Sequence, residues 1–208
     1  MRAHQTTAQR AGAAGRPALR FHLGPTLKRL TDHELFELCQ LNRDWRIERT
    51  SAGELIAMPP TGGETGRRGF DLTGIFRAWV EADGTGVGFD SSTGFILPNG
   101  AERSPDLAWV RRERWDALSD EEKEEFPPLC PDFVAELRSR SDSLDALRAK
   151  MREYVANGAR LGWLIDPLER RVYVYTPPDE ERCFQDPDTV SGDPVLPGFV
   201  LEPRRLWS

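Results

Sequence analysis

The spacing of apolar positions along the chain changes between the period of a helix and the period of a strand. Apolar residues three or four positions apart predict amphipathic helices, in residues 31–42, 70–81 and 144–157. Short alternating or continuous apolar runs predict strands, in residues 45–50, 54–58, 86–90, 94–97, 107–110, 133–137, 161–165 and 171–175. A Gly-rich stretch predicts a loop at 61–66, and an acidic stretch predicts a surface helix at 116–125. This order predicts an α/β fold with a mixed central sheet flanked by helices, preceded by an N-terminal helix and a β-hairpin.

The chain has 208 residues, which is enough for one domain with a core of its own. Residues 1–28 are expected to form a disordered leader, and residues 29–208 a single domain. The N-terminus carries arginines but lacks the apolar segment of a secretory signal, and no apolar run has the length needed to cross a bilayer. We therefore expect a cytoplasmic protein with no membrane partner.

Composition narrows the chemistry that the domain can perform. The histidines His4, His22 and His33 all lie near the N-terminus, so acid–base or metal chemistry in the body must use carboxylates, Lys, Arg or Tyr. The three cysteines form no CxxC pair, which argues against a disulfide framework and a zinc site. The net charge of −6 counts against a general affinity for DNA. A local basic cluster nevertheless surrounds residue 136, formed by Arg138, Arg140, Arg148, Lys150 and Arg152.

Glu136 interrupts an otherwise apolar strand. Alternation along this strand points Phe133, Ala135 and Leu137 to one face and Val134, Glu136 and Arg138 to the other. An ionised carboxylate inside a strand costs several kcal/mol unless a cation or a metal ion pairs with it. Lys150 lies at the edge of the apolar stripe of the next helix, from where its ammonium can extend toward the end of the sheet.

Asp106 is the second candidate carboxylate, because it follows a proline at the start of another apolar strand. If the two strands are neighbours, Asp106 and Glu136 converge. Two adjacent carboxylates repel unless a proton or a divalent cation lies between them, and such a pair suits Mg²⁺ or Mn²⁺ completed by water. With Lys150, the set provides a metal, a metal-activated water and a cation for phosphoryl charge, which is the equipment for phosphodiester hydrolysis.

Three segments closely resemble the Uma-two family of putative restriction endonucleases, within the PD-(D/E)XK nuclease superfamily: SPDLAWV (104–110), PDFVAELRSRSD (131–142) and KMREYVANGARLGWLIDP (150–167). The resemblance extends through RIERTSAGELIAMPPTGG (46–63), STGFILPNG (92–100) and LPGF (196–199), so that it covers about residues 30–208.

This resemblance implies a restriction-endonuclease-like core with a Mg²⁺ site. It suggests Asp106 as the PD aspartate and Glu136 as the (D/E) carboxylate, both as metal ligands. The simple X-K lysine is absent, because Arg138 stands there, and the family pattern points instead to Lys150 from the following helix. Arg140 replaces the proline that is usual in the family.

Each of these candidates also has a simpler structural explanation. Glu136 could form a buried ion pair with Arg138 or Lys150, Asp106 could cap the turn into its strand, and Lys150 could be a solvated helix lysine.

Other polar residues are better explained by structure than by catalysis. Glu48 could join a metal site, but a surface position in its hairpin is the favoured interpretation. Asp166 is expected to cap a turn, Asp132 to cap its strand, and Tyr154 to belong to the core.

The predicted function is Mg²⁺-dependent cleavage of phosphodiester bonds in DNA, with Arg138 and Arg140 available to contact phosphates. The main alternative is an inactive nuclease-fold module that binds nucleic acid or a protein. A sugar hydrolase using the two acids has little support, because no aromatic platform accompanies them. Since cutting both strands needs two sites, a homodimer is plausible.

Overall fold

The computed structural model describes residues 18–21 and 30–207. The helices are α1 (Asp32–Leu41), α2 (Gly63–Asp83), α3 (Arg112–Asp116), α4 (Asp120–Glu124) and α5 (Leu144–Ala156), followed by a 3-10 helix at Pro203–Leu206. The strands are β1 (Leu19–Phe21), β2 (Arg46–Arg49), β3 (Leu55–Met58), β4 (Gly86–Asp90), β5 (Phe95–Ile96), β6 (Glu102–Arg103), β7 (Leu107–Arg111), β8 (Phe133–Leu137), β9 (Leu161–Asp166), β10 (Arg171–Thr176), β11 (Glu180–Gln185), β12 (Val190–Ser191) and β13 (Val200–Leu201).

A six-stranded sheet in the order β11-β10-β9-β8-β7-β4 forms the centre of the domain. Strands β8 and β9 run parallel, joined by α5 as a crossover helix, whereas the other neighbours are antiparallel. The sheet is therefore mixed, as predicted. The most apolar strands occupy its middle: every residue of β8 and of β9 is buried.

Helices cover the two faces of this sheet, and each face has its own apolar core. One core joins α2 and the C-terminal segment to a set that includes Phe133 and Leu137. The other joins α5 to a set that includes Val134 and Leu164. The predicted alternation of β8 is thus confirmed, because neighbouring residues of the strand enter opposite cores.

A second sheet, in the order β1-β3-β2-β6-β5, lies at the N-terminal side. Its β2–β3 hairpin and helix α1 match the predicted hairpin and helix. Thr31 caps α1, since its hydroxyl accepts from the backbone N–H of Glu34 while the Glu34 side chain accepts from the N–H of Thr31. Residues 104–106 connect β6 of this sheet directly to β7 of the central sheet. Side chains from both sheets therefore come close together at this junction.

Several elements differ from the sequence-based expectation. Helix α2 begins at Gly63, inside the stretch predicted to be a loop. The acidic helix predicted at 116–125 is shorter and corresponds to α4, whereas α3 precedes it and ends at Asp116. The short strand β6 and the edge strand β11 had no clear apolar pattern and were not predicted.

The predicted leader lies largely outside the described residues. Within it, Leu19–Phe21 forms strand β1, which pairs with β3 in an antiparallel register. These three residues therefore belong to the second sheet and not to a disordered leader. Among the helices that the structure describes, none combines the length and the apolar character that a membrane span requires.

Candidate active site

The paired strands β7 and β8 bring the two predicted carboxylates together. Their antiparallel register places Leu107 opposite Ala135, so Asp106 lies beside Glu136 at the end of the pair. Asp106 Oδ2 accepts a hydrogen bond of 2.8 Å from the backbone N–H of Leu137. The strands that carry Asp106 and Glu136 are thus neighbours, as the predicted convergence of these two carboxylates requires.

Helix α5 supplies two groups that converge on one oxygen of Glu136. Lys150 Nζ lies 2.8 Å from Glu136 Oε1, and the Tyr154 hydroxyl donates to the same oxygen over 3.1 Å. The two side chains are four residues apart and hence lie on one face of the helix. Lys150 is thus not a solvated lysine: its ammonium reaches the end of the sheet, as its stripe-edge position predicted. Tyr154 is fully buried, as expected of a core residue, but its hydroxyl belongs to the site.

Glu48 also belongs to the site, and the preferred surface interpretation was wrong. It is only 2% exposed, and its Oε1 accepts from Lys150 Nζ over 2.7 Å and from the backbone N–H of Ser104 over 3.2 Å. Arg103 donates to its Oε2 over 3.1 Å. The reason is that Glu48 lies against Lys150 of α5 and Arg103 of β6, which cover its side chain from solvent.

Arg46 is a site residue that the sequence analysis did not propose. It precedes Glu48 by two positions in β2, and alternation places both on the same face of the strand. Its Nη1 lies 3.1 Å from Asp106 Oδ1. The alternation of Arg46 and Glu48 against Ile47 was the available signal, but the sequence did not indicate what this face of the hairpin packs against.

Lys150 contacts both Glu136 and Glu48, but the pKa values of these two acids are shifted in opposite directions. Burial raises the pKa of Glu136 above its ordinary value, and the neighbouring carboxylates of Asp106 and Glu48 reinforce this despite Lys150. Although burial opposes the effect, Lys150 and Arg103 lower the pKa of Glu48. Glu48 is therefore the better stabilised carboxylate of the two that share the Lys150 ammonium.

Glu102 lies fully buried behind Glu48. Burial, followed by the charge of Glu48, raises its pKa to about 8, so this side chain carries a proton at neutral pH. Its Oε1 accepts from the Ser104 hydroxyl over 3.2 Å, whereas its Oε2 is buried without a hydrogen-bond partner among the described residues.

Arg138 does not neutralise Glu136, contrary to one of the interpretations left open by the sequence. It pairs with the buried Asp166, with 2.6 Å between Nη1 and Oδ2. Asp166 also accepts from the backbone N–H groups of Leu168 and Glu169, which confirms its structural role in the turn after β9.

The rest of the predicted basic cluster is dispersed. Arg148 and Arg152 both pair with Glu181 on the edge strand β11, and Arg140 is exposed. Lys150 is therefore the member of that cluster that contacts Glu136.

Asp132, which like Asp106 follows a proline just before an apolar strand, has the capping role that was preferred for it. Its Oδ2 accepts from the backbone N–H of Arg111 and pairs with Arg114, which ties the start of β8 to the end of β7.

The residues that could hold a metal ion are the two carboxylates Asp106 and Glu136. The described residues contain no group of three or more His, Cys, Asp or Glu side chains arranged to hold a metal ion. Mg²⁺ commonly uses one or two carboxylates and keeps several waters. Asp106 and Glu136 fit this requirement, because they are adjacent and Glu136 Oε2 accepts no hydrogen bond from the described part of the chain.

The mixed sheet, its flanking helices and the carboxylates at the sheet junction define a nuclease-like α/β protein. A solved structure described as a putative nuclease belonging to DUF820, from Anabaena variabilis, shares this fold with a TM-score of 0.66 at 20% identity, covering 77% of this chain and 89% of that chain. The family model for Uma2, described as "Putative restriction endonuclease", matches residues 32–204. The chain belongs to the Uma2 family, as the resemblance of its motifs indicated. No curated protein matches it.

Proposed function

We propose that this protein is a divalent-metal-dependent endonuclease that hydrolyses phosphodiester bonds in DNA. The observation that carries the proposal is the position of Asp106 beside Glu136, with the Lys150 ammonium 2.8 Å from Glu136 Oε1. The family description, which names a restriction endonuclease, supports a nucleic-acid substrate.

Asp106 and Glu136 would hold Mg²⁺ or Mn²⁺. When bound, such an ion lowers the pKa of a coordinated water and neutralises phosphoryl charge. The chain's own groups prepare the site for this role. Tyr154 and Lys150 fix Glu136 through Oε1, which leaves Oε2 available. The N–H of Leu137 orients Asp106 through Oδ2.

Lys150 is the group that can stabilise charge developing on the phosphoryl oxygens. Its ammonium is held by two carboxylates, Glu48 and Glu136, so its position is determined from both sides. A preorganised cation in a site with little water stabilises developing charge much more strongly than it would in bulk solvent.

The experiment compares the wild type with Glu136→Gln and Asp106→Asn on plasmid and single-stranded DNA, with Mg²⁺ or Mn²⁺ and with chelator. Both substitutions keep the side-chain shape but remove the charge, so cleavage should be lost in each, and Mn²⁺ binding measured by calorimetry should weaken in parallel. Asp145→Asn is the matched control, because this exposed aspartate of α5 is outside the site. Circular dichroism checks that each variant is folded. Cleavage that persists in Glu136→Gln at the wild-type rate would refute the assignment.

A second candidate function is binding of nucleic acid without cleavage. It is favoured by the balance of charges at the site, where Arg46 pairs with Asp106 and Lys150 with Glu136. If the wild type binds DNA but neither cuts it nor binds Mn²⁺, this candidate replaces the first. Sedimentation velocity, with and without DNA, tests whether the protein forms a homodimer.

A further inference from the structure

Arg46 contacts one of the two carboxylate oxygens of Asp106. Its Nη1 lies 3.1 Å from Asp106 Oδ1, while Oδ2 is committed to the backbone N–H of Leu137. Its other terminal nitrogen is 3.6 Å from the sulfur of Met58. A cation that binds Asp106 through Oδ1 therefore competes with the guanidinium of Arg46 for this oxygen.

Arg46 is also the least constrained cation of the site. Its side chain is 33% exposed, compared with 11% for Lys150 and 10% for Arg103. Lys150 bridges Glu48 and Glu136, and Arg103 bridges Glu48 and a further glutamate. Arg46 pairs with one carboxylate among the residues that the structure describes. Displacing Arg46 breaks one ion pair and leads its side chain toward solvent, which is the side from which a substrate arrives.

The charge of Arg46 interacts with Asp106, Glu48 and Glu136 together. Because like charges repel at this range, a divalent ion on Asp106 disfavours the present position of the guanidinium. A displaced guanidinium seeks a new anion, and its planar fork matches the oxygens of a phosphate.

We propose that Arg46 is an exchangeable partner of Asp106, which holds this carboxylate in the metal-free protein and binds a backbone phosphate of the nucleic acid once a metal ion displaces it. The inference rests on the proposed function, since it requires a metal at Asp106. It assigns Arg46 two opposing effects: it competes with the metal and it attracts the substrate.

The first test measures Mn²⁺ affinity by calorimetry without DNA, for the wild type, Arg46→Met and Glu136→Gln. Methionine keeps much of the side-chain length and removes the competing charge, so Arg46→Met should bind Mn²⁺ roughly fivefold more tightly, as expected from the loss of a partly exposed ion pair. A purely structural role predicts the opposite sign, because a loosened site binds metal more weakly. Arg43→Met is the matched control: this exposed arginine lies in the turn before β2, and its loss should leave Mn²⁺ affinity unchanged.

The second test measures binding of a short DNA duplex in Ca²⁺ at several salt concentrations, with a gel to check that the duplex is intact. Arg46→Met should bind more weakly than the wild type, and the slope of log affinity against log salt should decrease by about one. An unchanged slope would overturn the phosphate contact.

The outcomes separate the inference from the function on which it rests. Suppose that the wild type binds Mn²⁺, that Glu136→Gln loses this binding, and that Arg46→Met binds Mn²⁺ equally or more weakly than the wild type. This result overturns the exchange of Arg46 but leaves the proposed metal site intact. If neither the wild type nor Arg46→Met binds Mn²⁺, the metal site fails and the exchange fails with it. Tighter binding in Arg46→Met supports the exchange.

Discussion

Glu102 offers a quantitative test of the electrostatics behind the site. It is fully buried with a pKa raised to about 8 from an ordinary value of 4.5, first by burial and then by Glu48. Between these two pH values the folded protein keeps a proton that the unfolded chain has released. The stability contribution of Glu102 is thus complete below pH 4.5 and is lost as the pH rises to about 8. At about 1.4 kcal/mol for each pH unit, the loss across this range is about 5 kcal/mol.

Glu102→Gln removes this titration while keeping the shape of the side chain. At pH 5 the variant and the wild type should have similar free energies of unfolding, because glutamine resembles the protonated acid. At pH 8 the variant should be more stable than the wild type by about 4 kcal/mol, since it has no proton to lose. Lys150 and Arg103, the cations that partly oppose the shift, are present in both proteins, so their effects cancel in the comparison.

The assay is urea denaturation followed by tryptophan fluorescence at pH 5, 6, 7 and 8. Glu124→Gln is the control, because this glutamate is exposed on α4 and its removal should leave the pH dependence of the wild type unchanged. Parallel curves for Glu102→Gln and the wild type would show that Glu102 is not a neutral buried acid, and the electrostatic reasoning would then fail.

Three further substitutions test the packing and the ion pairs. Lys150→Met should lower the free energy of unfolding by about 3–5 kcal/mol, because it leaves two buried carboxylates without their shared cation; urea denaturation measures this, and a loss below about 1 kcal/mol would contradict it. Tyr154→Phe should cost about 1 kcal/mol in the same assay, for the lost hydrogen bond to Glu136, with unchanged circular dichroism as its control. Gly86→Ala should cost about 1–3 kcal/mol or more, because a Cβ would lie 2.3 Å from the Trp109 ring; a melting temperature equal to that of the wild type would show that the ring can move aside.

Much of the fold was predictable because the dominant elements have clear periodicity. Strand β8 is apolar except for Glu136, and β9 is apolar up to its last residue, Asp166. Helix α5 has an apolar stripe with the cap Ser143, so local sequence and tertiary position agree in all three elements. The start of α2 was missed because glycine has low helix propensity. Gly63, Gly66 and Gly69 are helical nonetheless, and the later turns of α2, with Leu72 and Phe76, are buried in the core.

The site was predictable where it depends on the neighbouring strands β7 and β8 of the central sheet and on the helix that follows β8. Glu136 and Lys150 come from consecutive elements, so alternation and helical spacing sufficed to place them together. Glu48 and Arg46 come from a different sheet, and their position depends on how that sheet meets the central one. Period-two alternation showed that Glu48 and Arg46 share a face, but it carries no information on whether that face is buried.

The junction of the two sheets explains why the site gathers so many charges in a small volume. Strand β2 contributes Glu48 and Arg46, and the β6–β7 connection contributes Asp106. Helix α5 contributes Lys150 and, one helical turn later, Tyr154. Each acid is paired with a cation from another element, so the ion pairs also fasten the second sheet to the central one. The three cations differ in how many ion pairs they form among the described residues: Lys150 and Arg103 each bridge two acids, whereas Arg46 pairs with one. If a metal ion binds Asp106 as we propose, it would displace the cation with one ion pair, Arg46, and leave the contacts of Lys150 and Arg103 that join the two sheets.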